Sequence, residues 1–148
     1  MKKMLIIALG AALLSGCAQV ERIKQTKSGK PEGFYPNQTK EKVSGALVAT
    51  CNEKGLIVYD AKPEVVICGK ELEGGAALLT QATIGNAYST PPIAKIRYTI
   101  SQINSDVKVW ADMWTETQMA MGQVNSMNIQ DNQSFNSVQR LLDGLKVN

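Results

Sequence analysis

The sequence has no histidine, and this absence removes a large part of enzyme chemistry. Without imidazole the chain has no Ser-His-Asp arrangement, no histidine general base and no histidine ligand for a metal. The acidic residues are scattered, and no pair has a spacing that predicts a shared site. Gly74-Gly75 lacks the glycine spacing and the Lys-Ser/Thr ending of a phosphate-binding loop. We therefore expect a protein that is not an enzyme and that holds no cofactor and no metal.

A long hydrophobic run is also missing. The apolar run at residues 4–14 is too short to cross a bilayer, because a spanning helix needs roughly 20 apolar residues. Two lysines precede this run and two small residues follow it, which is the layout of a secretory signal peptide. The sequence at its end, Leu14-Ser15-Gly16-Cys17, resembles the lipobox of bacterial lipoproteins. The resemblance predicts a signal peptide at 1–16, and the alternative is an ordinary signal peptide followed by an incidental cysteine.

The lipobox implies a lipid anchor on Cys17, the first residue of the mature chain. In bacterial lipoproteins this cysteine carries acyl chains such as palmitate, and each buried CH₂ contributes about 0.8 kcal/mol to membrane binding. We therefore expect a chain that is anchored to a membrane without spanning it. An Asp directly after the cysteine favours the inner membrane in that family, and this chain has Ala18 there. The resemblance thus implies the outer membrane, with the protein facing the periplasm.

The sequence also has no large excess of charge of either sign. The chain has 16 basic and 13 acidic residues, but two of the lysines belong to the predicted signal peptide. The mature chain is then nearly neutral, so it has no strong field that would attract nucleic acid. Residues 17–38 are polar and lack an apolar period, which predicts a flexible tether after the lipidated cysteine. Lys24, Lys27 and Lys30 leave open a basic strip that contacts lipid headgroups.

From residue 39 onwards, apolar periodicity predicts a periplasmic α+β domain at 39–148. Thr39 can cap a helix, and Gly55 suits the left-handed position that closes one. We predict a four-stranded antiparallel sheet with helices packed on one face, in the order α-β-β-α-β-β-α. The predicted segments are a helix that begins near 39 and ends by 55, strands at 56–59 and 64–68, a short helix or crossover at 74–87, strands at 93–103 and 106–123, and a helix at 131–146 capped by Asp131.

The two longest strands predict their own register. A turn at Asn104-Ser105 pairs residues whose numbers sum to 209, and a slip by one residue would set an apolar row against a charged one. The predicted pairs are Ile100 with Val109, Tyr98 with Ala111 and Ile96 with Met113 on one face, and Lys95 with Trp114, Arg97 with Asp112 and Thr99 with Trp110 on the other.

Two cysteines remain after Cys17. Cys51 ends the buried face of the first predicted helix, and Cys68 ends a predicted strand. In an oxidising compartment an even pair favours a disulfide, and closing a loop of about 15 residues stabilises by roughly 3 kcal/mol. The alternative is two buried thiols that act as small apolar residues.

Four residues on the polar face of the long hairpin form a candidate partner surface: Lys95, Arg97, Trp110 and Trp114. Aromatic rings flanked by charge are typical of a protein contact surface. The alternative is local, because the tryptophans can cover the sheet by lying against the stems of Lys95 and Arg97.

Residues 85–124, with GNAYSTPP and TQMAMGQVN, and the terminal NSVQRLLDGLK resemble a group of short bacterial envelope lipoproteins. That group has no established function, so the resemblance carries over no functional residue. We expect an outer-membrane lipoprotein whose periplasmic domain binds another component of the envelope. The expected component is a protein, which binds through the open sheet face or an edge strand. The alternative is a membrane-tethered carrier of a small ligand or lipid, with a cavity between the sheet and the 74–87 helix.

Overall fold

The computed structural model describes residues 20–147, so the predicted signal peptide at 1–16 and the predicted lipidation site Cys17 lie outside the described residues. The predicted α+β class is confirmed, with three helices and one antiparallel sheet. In chain order the elements are β1 Glu32–Tyr35, α1 Lys40–Glu53, β2 Ile57–Lys62, β3 Val65–Glu71, α2 Gly74–Ile84, β4 Ile93–Ile103, β5 Asp106–Gln118, β6 Val124–Asn128 and α3 Asn132–Asp143.

The sheet has six strands, and the predicted number of four is wrong. Its order is β1-β5-β4-β3-β2, and β6 also pairs with β5. β1 pairs with residues 107–110 and β6 with residues 114–118, so both lie end to end along the edge of β5 that β4 leaves free. The predicted second long strand stops at Gln118, because residues 119–123 turn the chain back into β6.

The predicted register of the long hairpin is confirmed along its whole length. Tyr98 lies opposite Ala111, and Ile100 lies opposite Val109. In every pair of β4 and β5 the two residue numbers add up to 209, as predicted. Because side chains alternate across a strand, one face of this hairpin is apolar and the other is polar. The central pair of strands thus determines which face of the sheet is buried.

Two helices cover the apolar face. Val43 and Leu47 of α1 and Leu142 of α3 are buried against the sheet, and each such side chain contributes about 1.5–3 kcal/mol when fully removed from water. Thr39 and Asp131 cap these helices as predicted, since each side chain accepts a hydrogen bond from a first-turn backbone N–H. The core lies between this helical layer and the centre of the sheet.

Cys51 and Cys68 form a disulfide, with a Cα–Cα distance of 6.3 Å. Both residues are buried, and the bond fastens the last turn of α1 to β3. Of the two alternatives left by the sequence, the structure has the disulfide and not the pair of free thiols. The bond closes a loop with a sequence separation of 17 residues.

The chain from residue 20 to residue 38 is ordered against the domain, which differs from the predicted flexible tether. Asn132 Nδ2 donates to the Val20 carbonyl at 2.8 Å, and Asn136 Nδ2 donates to the Glu21 carbonyl at 2.7 Å. β1 is bonded to β5 on one side, while the buried Gln139 amide both donates to and accepts from the Glu32 backbone on the other. Polar composition suggested a tether because these contacts use backbone groups and amides rather than apolar side chains.

The basic strip left open by the sequence is also changed by this packing. Lys24 pairs with Asp143 at 3.2 Å, and Lys30 pairs with Asp112 at 2.7 Å. Two of the three lysines are therefore paired within the domain. Within the described residues 20–147, no helix is both long and apolar enough to cross a membrane.

Candidate partner-binding surface

One face of the sheet has no helical layer in the described part of the chain. α1 and α3 cover the face that carries Val109, and the end of α2 contacts Asn125, the neighbour of Thr117 on that same face. The opposite face presents Lys95, Arg97, Trp110 and Trp114, the four residues singled out from the sequence. We call it the open face. The confirmed register brings these four residues together on the two central strands.

Cations lie over the aromatic rings of the open face. The guanidinium carbon of Arg97 is 5.2 Å from the centre of the Trp114 ring, and Lys108 Nζ is 5.0 Å from that of Trp110. Such contacts stabilise by about 0.5–1 kcal/mol at exposed sites. The local packing considered for the tryptophans is thus present, with Lys108 rather than Lys95 or Arg97 over Trp110. Both rings are only partly buried, so they also remain part of the surface.

Ion pairs neutralise most of the charge on this face. Lys95 pairs with Glu116, Lys30 pairs with Asp112 at 2.7 Å, and Lys108 pairs with Glu32 at 2.9 Å. Arg97 is exposed and forms no ion pair with any residue between 20 and 147. Arg97 is therefore a cation near the centre of the face without an acidic partner among the described residues.

Two neighbouring side chains hold Glu116 in place on the open face. Its carboxylate accepts from Lys95 Nζ and from the Trp114 indole N–H, the latter at 2.8 Å. Partial burial acts to raise the pKa of Glu116, but the hydrogen bonds from Lys95 and Trp114 outweigh it, and the pKa is lowered. These contacts hold the Trp114 ring at a fixed angle beside Arg97.

Tyr59 and Phe34 also contribute to the open face, and sequence reasoning missed both. Tyr59 lies at a register shift in β2, and its ring covers Gly69, where an added Cβ would come within 3.1 Å of the ring. Lys95 Nζ is 4.2 Å from the centre of the Tyr59 ring. Phe34 is exposed on β1, beside Lys108. The available signal for Tyr59 was an aromatic residue in one predicted strand and a glycine at the end of the next, since such a ring can cover a glycine across a strand pair. Phe34 could be placed on this face only once β1 was known to be a strand.

The open face carries side chains that could contact a protein segment. No group of three or more Cys, Asp or Glu side chains that could hold a metal occurs among residues 20–147. The exposed Arg97 guanidinium can donate two parallel hydrogen bonds to a carboxylate, and the neighbouring rings offer flat apolar contact area. A polar donor between aromatic rings is a common composition for a protein contact surface.

The structure has an apolar cleft on the other side of the sheet. It has a volume of about 480 Å³ and lies between α3 and the sheet, where Ile96, Met113, Ile129 and Val138 line it. None of its lining residues comes from α2. The ligand cavity expected between the sheet and the 74–87 helix is therefore not this cleft.

No protein-family model, no curated protein and no solved structure matches this chain. The resemblance of residues 85–124 and of the terminal NSVQRLLDGLK to short bacterial envelope lipoproteins stays a prediction.

Proposed function

We propose that this chain is an outer-membrane lipoprotein, anchored through acyl chains on Cys17, whose periplasmic domain binds another envelope protein without catalysing a reaction. The lipobox supports the anchor, and the Cys51–Cys68 disulfide is in keeping with an oxidising compartment such as the periplasm. The observation that carries the binding role is the open face, where a solvent-exposed guanidinium lies among partly buried aromatic rings.

The partner is a protein segment that presents a carboxylate to Arg97. Three of the cations on the open face already have an acidic partner in the domain, whereas Arg97 has none among the described residues. An acidic side chain of a partner would complete the pattern of alternating charge on this face. Trp114 and Tyr59 would then pack against the apolar part of the same segment.

A photoreactive residue at Thr99 tests this proposal in intact cells. Thr99 is exposed and lies opposite Trp110 at the centre of the open face, so replacing it leaves every aromatic ring and ion pair in place. We expect a specific protein adduct from this position. Ala49 is the matched control, because it is exposed on α1 in the helical layer. Equal adduct patterns from both positions would contradict the assignment of the open face.

A small-ligand carrier is the second candidate, and the apolar cleft between α3 and the sheet favours it. Ile96 and Met113 are only partly buried there, although their neighbours on the same face are in the core. An apolar fluorophore that binds the purified protein would support this function. A Met113→Lys substitution should abolish that binding, whereas Thr99→Lys on the opposite face should not.

A further inference from the structure

The end of the sheet where β5 turns into β6 is built from two segments without a charged residue. Residues 74–94 and 117–130 contain no Asp, Glu, Lys or Arg. The structure brings them together: Thr117 Oγ1 donates to the Thr90 carbonyl at 2.7 Å, and Asn125 Nδ2 donates to the Ile84 carbonyl at 2.9 Å. In a chain of which 20% is charged, this end is a distinct region of the surface.

Large apolar side chains point outwards from this region. On α2 only Thr80 is buried, while Leu78 and Leu79 are 70% and 73% exposed. Tyr88 after the helix is 81% exposed, and Met121 at the tip of the β5–β6 turn is 99% exposed. We call this region the uncharged end; its exposed apolar residues are Leu78, Leu79, Tyr88, Met121 and Val124. Several exposed apolar side chains at one end of a domain are typical of a contact site with a protein or a membrane.

The chain leaves the domain beside the same edge strand. Val20 is held by Asn132, which follows β6 closely in the chain. Cys17 is three residues before Val20, so their Cα atoms are separated by at most about 11 Å. From Ile129, beside this exit, to Val124 the edge strand runs roughly 17 Å. A lipid anchor on Cys17 would therefore hold the domain close enough to a bilayer for the uncharged end to reach it.

We propose that the uncharged end lies on the bilayer in which Cys17 is anchored, with the side chains of Leu78, Leu79 and Met121 inserted at the level of the lipid headgroups. This inference rests on the anchor of the proposed function. The occupant is a lipid surface because the exit of the chain brings the bilayer to this end, and because neither of the two segments has a charged side chain to lose hydration there. The absence of Lys and Arg makes the contact apolar, and it should not weaken in high salt.

Lipid quenching of a fluorophore on the full lipidated chain tests the proposal. The chain is reconstituted in vesicles of phosphatidylethanolamine and phosphatidylglycerol that contain lipids with a nitroxide on the upper acyl chain. One variant is labelled after Met121→Cys; the control is labelled after Ser105→Cys, in the exposed turn at the other end of β5. The 13 residues of β5 separate the two labels by roughly 40 Å.

We expect quenching at position 121 to exceed quenching at position 105 by roughly threefold or more, since interfacial apolar groups lie about 5–10 Å deep. Equal quenching on a chain that floats with the vesicles would overturn the docking and leave the anchor intact. A chain that does not float would overturn both. Crosslinking between two copies at position 121 without lipid quenching would show that a second copy covers this end, and would also overturn the proposal.

Discussion

The disulfide between Cys51 and Cys68 should supply a large part of the stability of the domain. Its sequence separation of 17 residues corresponds to about 3 kcal/mol of lost loop entropy in the unfolded chain. In a domain of this size, each kcal/mol changes the Tm by roughly 3–5 °C, between the values for smaller and larger domains. The double substitution Cys51→Ala and Cys68→Ala should therefore lower the Tm by roughly 10–15 °C.

Thermal unfolding followed by circular dichroism measures this effect. The unchanged protein with a reducing agent is the matched control, because reduction breaks the crosslink and leaves both sulfur atoms in the core. Reduction should lower the Tm of the unchanged protein and have no effect on the double variant. A double variant whose Tm stays within roughly 2 °C of the unchanged protein would refute the argument from loop closure.

The remaining predictions concern buried hydroxyls and one carboxylate. Tyr35→Phe should cost about 1 kcal/mol in urea unfolding, because the hydroxyl donates to the Leu142 carbonyl at 2.7 Å. Tyr98→Phe should cost nothing or stabilise the fold, since the Tyr98 hydroxyl is buried without a hydrogen-bond partner in residues 20–147; a cost equal to that of Tyr35→Phe would refute this. The pKa of Glu116 is lowered in the folded protein. Its contribution to the free energy of unfolding is therefore complete above the ordinary pKa of 4.5, and it is lost as the pH falls through the lower pKa of the folded state. Glu116→Gln should therefore weaken the fall of the Tm in acid, and an unchanged Tm-against-pH curve would contradict the assigned contacts.

The centre of the fold was predictable from the sequence because its side chains alternate. β4 carries Tyr98 and Ile100 inwards and Arg97 and Thr99 outwards, and only one register with β5 keeps these two sets apart. The caps of α1 and α3 were predictable for a similar reason, since a capping side chain acts within a few residues of its own position.

The edges of the sheet were not predictable in this way. No residue of β6 is buried, and in β1 only Gly33 and Tyr35 are buried. Neither strand therefore shows the alternation of apolar and polar residues that predicts a strand. Both are held through backbone hydrogen bonds to β5, which any sequence can form. Residues 20–31 suggested a tether for the same reason, because contacts made through backbone groups leave no apolar pattern in the sequence.

The candidate surface shows the same division. Lys95, Arg97, Trp110 and Trp114 followed from the register alone, because they occupy alternate positions of two paired strands. The ion pairs that leave Arg97 without an acidic partner among the described residues could not be foreseen, because Lys30 reaches the open face only through the missed segment before β1.

The adduct yield at Thr99 in cells that carry Arg97→Ala tests the proposed binding role most directly. Lys42→Ala is the matched control, since Lys42 is an exposed cation on α1, in the helical layer on the other side of the sheet. We predict that Arg97→Ala lowers the yield roughly tenfold, because a hydrogen bond to a charged group contributes about 1.5–3 kcal/mol and about 1.4 kcal/mol is a tenfold change in affinity. Lys42→Ala should leave the yield unchanged. Equal yields from the Arg97→Ala and Lys42→Ala proteins, at equal abundance, would contradict the role of the open face as a binding surface for an acidic protein segment.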